Sequence, residues 1–472
     1  VKIRVATDFP AGDWVSIRLV PKDQRAKLTP PPSDSEFSGG VGALLIERSE
    51  KVIYAGLGER SQLDAAAVRQ SSAAASLHLR RISARKVVLF LEEWVEYSGA
   101  AVEGLILGNY RFETFRPSKT EPLTEVVLLV PKDDVQSVRK SVALAQPIAE
   151  SVNEAREIAN TPGNLLYPET LAKAARELGA RHGLKCRVLE EKHLCSGGFG
   201  GILAVGQGSA RGPRLIALEH LKGAKNERPL LIVGKAITFD TGGISIKPAA
   251  GMEEMVYDKC GGTAVLGAML AIARLGIRRN VIGILAAAEN MPGANAYRPG
   301  DIVTMYSKTT VEIVNTDAEG RMVLADALAW GCEKWKPRAI VDLATLTGAC
   351  GVALGEHAAG LWSNDPTFQS SVQRAASKTG ERVWPMPLFR EYTTQTESQV
   401  AKLKNSGGRL GGANTAAAFL QEFVGQTPWA HLDIAHTSHR SKDQMGLAAG
   451  ATGFGVRMLV ELAQQDELSA LD

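Results

Sequence analysis

Two carboxylates and a guanidinium crowd into the heptad Asn315-Thr316-Asp317-Ala318-Glu319-Gly320-Arg321. The heptad ends an extended run, Thr310-Val311-Glu312-Ile313-Val314, and precedes a helical pattern over 322–335. Side chains alternate along a strand, so an extended heptad would throw Asp317 and Glu319 to the same side. Arg321 would follow on that side or open the helix. Like charges held that close repel, so the fold must place a cation between them or leave one protonated. A divalent metal meets that demand most simply, and the rest of the chain can be read as what surrounds it.

Three further segments supply polar groups where apolar runs end. The apolar run 230–233 leads into Gly234-Lys235-Ala236-Ile237-Thr238-Phe239-Asp240-Thr241-Gly242-Gly243-Ile244-Ser245-Ile246-Lys247. Ligand sites of open α/β sheets form at the carboxyl ends of strands, and glycines let the backbone approach a ligand closely. Met255-Val256-Tyr257-Asp258-Lys259-Cys260-Gly261-Gly262 puts an acid just ahead of a helical pattern, and Asp342-Leu343-Ala344-Thr345-Leu346-Thr347-Gly348-Ala349 is another strand end running into glycine. Asp240, Asp258, Asp317 and Glu319 together suit a pair of metals about 3.5–4 Å apart. Histidine is absent from all four segments, which favours Mn or Mg over a His-rich zinc centre. Taken singly, each acid also has a structural reading; an Asp ahead of a helix, such as Asp258, is usually its N-cap. The metal argument rests on their co-occurrence.

The surrounding pattern is α/β. Strand-like runs at 41–46, 51–56, 86–91 and 125–130 are interleaved with helical patterns at 63–81 and 100–112, which indicates a first domain with a mostly parallel sheet over 1–134. A long helical stretch from 135 to about 160 ends in the breaker run Asn160-Thr161-Pro162-Gly163-Asn164, so 135–164 reads as a connector. A second α/β domain is expected over 165–472, with helices at 168–182, 263–275 and 322–335 and strands at 186–189, 214–218, 230–234, 280–287 and 339–346. Each domain is expected to be a mixed or mostly parallel sheet flanked by helices, with the chemistry in the C-terminal one.

The charge balance gives no sign of a polyanionic partner. Lys plus Arg number 54 against 51 Asp plus Glu in 472 residues, a formal net charge of +3. That is too weak and too interspersed to argue for nucleic acid or a membrane surface. A nucleic-acid role would need a basic groove, and the first domain offers only scattered clusters such as Arg80-Arg81 and Arg85-Lys86. The five cysteines, Cys186, Cys195, Cys260, Cys332 and Cys350, form no CxxC pair. A disulfide framework is not expected, and a reducing compartment fits. The beginning of the chain has no basic-then-apolar signal pattern and no long apolar run stands out, so the cytosol is the expected compartment.

The segments quoted above, written NTDAEGR, GKAITFDTGGISIK, YDKCGG and DLATLTGA, resemble the leucine aminopeptidase (cytosol aminopeptidase) family of dinuclear metallo-exopeptidases. AREIANTPGN, GGRLGGA and GATGFGVR extend the resemblance over about 154–457, while the first domain matches loosely, as a variable, non-catalytic domain with oligomer contacts would. The resemblance implies two divalent ions per subunit, Mn or Zn. Asp240 and Glu319 would bridge both, Asp317 would complete one site with a backbone carbonyl, and Lys235 and Asp258 would complete the other. A lysine ligand must be neutral, which adjacent dications can bring about. Lys247 would stay charged and face the scissile carbonyl, and Arg321 would hold a bicarbonate that shuttles protons. Thr345, Leu346 and Gly348 would line the substrate cleft, and Met255 the pocket for the first side chain. The implied reaction releases N-terminal residues, Leu and other apolar ones preferred, from peptides; the implied assembly is a homohexamer.

Three positions depart from the family pattern. Lys259 stands where methionine is common, His436 where glycine is usual, and Ala449 where lysine is frequent. Lys259 could weaken metal binding or point to solvent, and solvent is the expectation. His431, His436 and His439 mimic a metal cluster, but their spacing fits no common zinc pattern and His431 falls in an apolar run expected to be core strand. Cys260 reads as a small buried hydrophobe, and Trp330 and Trp335 as core. The polar segment 392–412 reads as a long loop, either a flap over the site or a contact between subunits. Another two-metal hydrolase such as a phosphoesterase is the nearest rival, but it would need more basic residues beside the metals than Lys247, Arg321 and Lys259.

Overall fold

In a computed structural model, which describes residues 1–28 and 31–465, the chain divides into two compact units, Val1–Asn153 with Arg440–Gly450 and Glu154–His439 with Ala451–Asp472. The division falls inside the helix Val135–Asn160, and the excursion at 440–450 joins the first unit although it lies far along the chain. Nothing in the local pattern of 440–450 announces that; long-range ion pairs of Asp443 with Arg81 and Arg111 do. Residues 466–472 of the expected second domain lie outside the described residues.

The first unit is built on a six-stranded sheet, parallel except for the pair Leu44–Glu47 and Val52–Gly56. Two of its strands, Lys2–Ala6 and Val15–Val20, carry no signal clear enough to read from sequence; the first alternates polar and apolar residues over only five positions. Helices Ala65–Arg81 and Ser98–Asn109 flank the sheet, and Asp64 caps the first by accepting from the Ala67 amide at 2.8 Å. Its basic clusters are paired rather than gathered: Arg80 with Glu113, Arg81 with Asp443 and Arg85 with Glu121.

The second unit holds a mixed eight-stranded sheet. Its centre is the strand Leu230–Asp240, parallel to Ala339–Ala344 on one side and to Asn280–Asn290 on the other. Both faces of a central strand are covered, so these strands read as continuous apolar runs, and every residue of Asn280–Asn290 is buried. The helix Cys260–Leu275 packs against this centre, its first thirteen residues all buried. With the turn before it, the stretch Met252–Leu275 is long and apolar enough to cross a membrane by length and composition alone, but most of it lies inside the folded unit. Trp330 belongs to the same core, with Trp335 packed at its edge.

A small three-stranded sheet, Ile302–Thr304, Thr310–Glu312 and Leu403–Lys404, stands beside the main one. Its last strand comes from the segment 392–412, which is therefore not one long loop. Leu403–Lys404 pairs with the strand that leads into the heptad, and a short helix, Arg390–Thr394, precedes it.

Candidate metal centre

Lys235 and Asp240 lie on one strand five residues apart, an odd number that in a regular strand sends side chains to opposite faces. The strand is not regular at that point. Its pairing with Asn280–Asn290 runs in register to Ile237 opposite Ala288, then resumes with Asp240 opposite Asn290. Three residues on one strand thus answer two on the other, a β-bulge, which re-aims the side chains beyond it. That one extra residue brings Asp240 to the side where Lys235 already points.

The heptad is folded differently from the extended reading. Residues 315–318 form a turn, the Asn315 side chain accepting from the Asp317 amide at 2.9 Å, and the helix Glu319–Trp335 begins at Glu319 rather than at 322. A turn followed by a helix start, not strand alternation, gathers Asp317 and Glu319. The helix N-terminus also favours the Glu319 carboxylate through the dipole and free amides of the first turn. Gly320 is required by its neighbour: a Cβ there would sit 2.7–2.8 Å from the end of the Lys235 side chain.

Carboxylate oxygens of Asp240, Asp317 and Glu319 come within 4.8 Å of one another. Lys235 Nζ lies 2.8 Å from Glu319 Oε1, 2.9 Å from Asp258 Oδ1 and 2.8 Å from the carbonyl of Thr345. Lys247 Nζ lies 2.9 Å from Asp240 Oδ2 and also pairs with Asp317. All five expected ligands and Lys247 therefore converge on one place. Asp258 is not the N-cap of Cys260–Leu275, which is Lys259; its Oδ1 instead accepts from Thr345 Oγ1 at 2.6 Å.

The electrostatics follow from that crowding. Burial, then the charge of Asp240, pushes Glu319 well above the usual carboxylate range, against the pull of Lys235. Burial raises Asp258 and Asp317 in the same way, opposed by Lys235 and Lys247 respectively. Burial works against the charge on both lysines, but their carboxylate neighbours outweigh it and hold both above the ordinary lysine value. Asp258 Oδ2 is buried with no hydrogen-bond partner among the described residues. Four acids, one amine and an orphaned carboxylate oxygen in one place fit a divalent cation, because hard cations take oxygen donors and replace the missing partners.

Several residues that sequence reasoning passed over hold this arrangement. Thr316 and Ser245 exchange hydrogen bonds, amide to hydroxyl in each direction, at 2.7 and 3.1 Å, and Thr316 Oγ1 donates to the Gly242 carbonyl. Gly242 and Gly243 both adopt positive φ, +86° and +67°, and a Cβ on Gly242 would lie 2.9 Å from Asp317 Oδ1. Asp433 accepts from the Leu346 amide and from Thr347 Oγ1, fixing the strand end that carries Thr345. Arg321 is buried; its Nη1 donates to the Asn405 carbonyl at 2.9 Å, while Nε has no partner. Asn405 in turn accepts from the Val314 and Asn315 amides, so the segment 392–412 buttresses the heptad. Beyond the glycines and Arg321, Asn290 carried a visible signal, an Asn at the end of an apolar run followed by the breaker Met291-Pro292-Gly293.

Lys259 does not reach solvent. It is fully buried, its Nζ donates to the Val256 carbonyl, and burial lowers it to about 8. The tight turn 252–258 directs the next side chain inward, which no local sequence feature shows. Met255 is half-buried in that turn, and a Cβ on Gly348 would meet open space. The three histidines do not form one ligand set. His431 is buried in Trp429–Asp433 with Nδ1 2.6 Å from Asp342, His439 stacks on Tyr257, and His436 is exposed with its ring directly against Gly351. Cys260 is buried, and burial raises it to about 12.

The catalytic-domain profile of the cytosol aminopeptidase family matches residues 153–460, and the profile of its N-terminal domain matches 33–119. A probable cytosol aminopeptidase of Syntrophotalea carbinolica is 45% identical over 427 residues, 88% of this chain and 86% of that protein. One from Cenarchaeum symbiosum is 44% identical over 418 residues, 87% of this chain and 85% of that protein. Among solved structures, the bottromycin maturation enzyme BotP in complex with Mn superposes with a TM-score of 0.86 at 34% identity, covering 98% of this chain and 100% of that one.

Proposed function

The chain belongs to the cytosol aminopeptidase family, a family of metal-dependent aminopeptidases, and from that premise we propose that it releases N-terminal residues, Leu and other apolar ones preferred, from peptides by two-metal hydrolysis. The observation that carries the reading is the convergence of the Asp240, Asp317 and Glu319 oxygens within 4.8 Å, with Lys235 and Asp258 beside them. Those five residues would hold the ions, Lys235 after losing its proton. Two bound ions would supply an acidified water, a Lewis acid for the peptide carbonyl and an anchor for the free α-amine. Mn is favoured by the oxygen-rich donor set and is the metal named for BotP; Zn is the alternative.

The chain's own groups do the rest. Without ions bound, Asp240, Glu319 and Asp317 hold Lys247 protonated against partial burial, and its side chain is still partly open to solvent. It is therefore a fixed positive charge that stabilises the oxyanion formed when the carbonyl is attacked, not a base. Arg321 would hold a bicarbonate that passes a proton to the leaving amine; its unpartnered buried Nε supports this. Met255 would bound the pocket for the first side chain, and the 345–348 strand end, with Thr345, Leu346 and the uncrowded Gly348, would line the cleft. By family likeness the protein would work in the cytosol as a homohexamer, a light-scattering mass six times the 50.4 kDa chain.

The test is a kinetic panel of aminoacyl anilides with added Mn or Zn, beside a phosphate ester and a Glu319→Ala control. Turnover of Leu-anilide, none of the phosphate ester and none by the control is expected. Full activity in the control would overturn the two-metal reading.

A further inference from the structure

We propose that Asn290 is a positioning residue of the metal centre: its side-chain amide ties the Asp240 carboxylate to the 315–321 turn, and the centre binds metal tightly only while that tie is made. The inference rests on the metal-centre reading above.

Asn290 is fully buried at the carboxyl end of Asn280–Asn290. Its Nδ2 donates to Asp240 Oδ1 at 2.8 Å and to the Thr316 carbonyl at 3.1 Å. Both neighbours are acceptors, so the amide has only one workable orientation; turned over, its oxygen would face a carboxylate and a carbonyl. Asp240 Oδ1 also accepts from the Gly242 amide at 2.9 Å. Two donors on Oδ1 fix the plane of the carboxylate and leave Oδ2 aimed at the centre, where Lys247 Nζ now lies.

The position is where the strand most needs a lock. Asn290 stands opposite Asp240 just past the bulge, where the regular ladder has lapsed. Its carbonyl accepts from both the amide and the hydroxyl of Thr241, so backbone and side chain of one residue grip both sides of Asp240. The Thr316 carbonyl takes a second donor, Tyr297 Oη at 2.8 Å, from another buried side chain. The other half of the Asn290 amide is left idle: Oδ1 is buried without a hydrogen-bond partner among the described residues, hard against Gly243, where a Cβ would sit 2.8 Å away. A buried acceptor left unpaired is unfavourable. A residue kept only for packing would be apolar here; an amide is explained by the two bonds its nitrogen makes to metal-binding segments.

The test is the Mn(II) affinity of the metal-stripped full chain, by calorimetry and by the electron paramagnetic resonance of bound Mn(II), for Asn290→Asp and Asn290→Ala, with folding checked by circular dichroism. Loss of an outer partner of a metal ligand costs about 10–100-fold in affinity. That loss is expected in both, larger in Asn290→Asp, which keeps the shape but turns a donor into a like charge facing Asp240, and saturating Mn(II) should restore kcat. A purely structural role predicts the reverse order, with the cavity-forming Ala worse and affinity unchanged in whatever folds. Wild-type affinity in both variants, or tighter binding in Asn290→Asp, overturns the proposal. Should either fail to fold, Asn290→Ser carries the same expectation, and failure of all three to fold overturns it too. Glu319→Ala run alongside separates the two readings. If it takes up metal as the wild type does, the metal centre itself is misassigned; if it does not while the Asn290 variants match wild type, only the role of Asn290 falls.

Discussion

The second unit buries two kinds of carboxylate, and they are satisfied in different ways. Asp326, deep in the helix Glu319–Trp335, accepts from the backbone amides of Ile202, Tyr306 and Gly201. Glu381 accepts from the amides of Gly455 and Met458, at the start of Val456–Gln464, with Arg457 beside it. These acids tie together backbone segments from different elements, and their donors are part of the fold. The metal-centre acids Asp258, Asp317 and Glu319, set at turns and a helix start, lean on two lysine side chains, and among the described residues Asp258 Oδ2 has no donor. An acid buried for structure comes with its donors, whereas an acid buried for chemistry is left short of positive charge. The two kinds should fail differently when removed.

Glu319→Ala should show the largest effect. Losing a metal ligand forfeits several kcal/mol of transition-state stabilisation, about a thousandfold or more in kcat/KM. If Glu319 were a structural acid like Asp326, activity per folded molecule would survive and only the melting temperature would move. Lys247→Met comes next. Removing one preorganised oxyanion partner costs about 10²–10³ in kcat, and a Lys247 that acts as a fixed charge in the loaded centre makes that loss the same at pH 7 and pH 9. A loss that disappears as pH rises would mean that Lys247 acts by giving up its proton.

Asp326→Ala should reverse the pattern. It leaves the Ile202 and Tyr306 amides without acceptors, about 1–3 kcal/mol each, read as a lower urea midpoint with kcat/KM unchanged in the folded enzyme. Burial lifts Asp326 to about 7, although its amide donors pull it down. The folded state therefore holds a proton that the unfolded state releases near pH 4. The resulting stability is complete below about pH 4 and is lost as pH rises through about 7. The wild type should then lose more stability between pH 5 and pH 8 than Asp326→Asn, which carries no such proton. Equal slopes would show that backbone amides alone keep Asp326 charged, and would erase the contrast with the metal centre.

The same contrast explains what the sequence disclosed. Lys235, Asp240, Asp258, Asp317 and Glu319 stood out because each lies near glycine where an apolar run gives way to a turn or a helix, and because four such acids occur together in one chain. The folding that joins them was not visible. The odd spacing of Lys235 and Asp240 argued against a shared face, and only a bulge that no residue type announces reconciles them. The heptad looked extended because Thr310 to Val314 is; its turn depends on Asn315 and on Thr316 bonding to Ser245, seventy-one residues earlier. The mixed α/β architecture was legible from buried-type strands alternating with helices, while Lys2–Ala6 and Val15–Val20 were too short and too polar to register. Asp326 and Glu381 gave no signal either, since their partners are backbone amides, which every residue has.

Lys259 sharpens the comparison from the cationic side with the smallest expected effect. It is as buried as Asp326, but a single carbonyl, that of Val256, receives its three donors. It therefore resembles the metal-centre acids in being under-satisfied, yet its bond goes to a turn carbonyl, and the Asp258 Oδ1 bonds go to Lys235 and Thr345 instead. If under-satisfaction always marked chemistry, Lys259→Met would lower kcat. If Lys259 is only a tolerated burden, the thioether fills the same space without a charge to desolvate, and such replacements are often neutral or stabilising. A gain of about 1 kcal/mol, some 2–4 °C in the melting temperature of a unit this size, with kcat within about twofold, is the expected result by scanning calorimetry and Leu-anilide turnover. A drop in kcat at unchanged stability would instead place Lys259 with the metal-centre acids, and burial without enough partners would then be a sufficient mark of the site on both signs of charge.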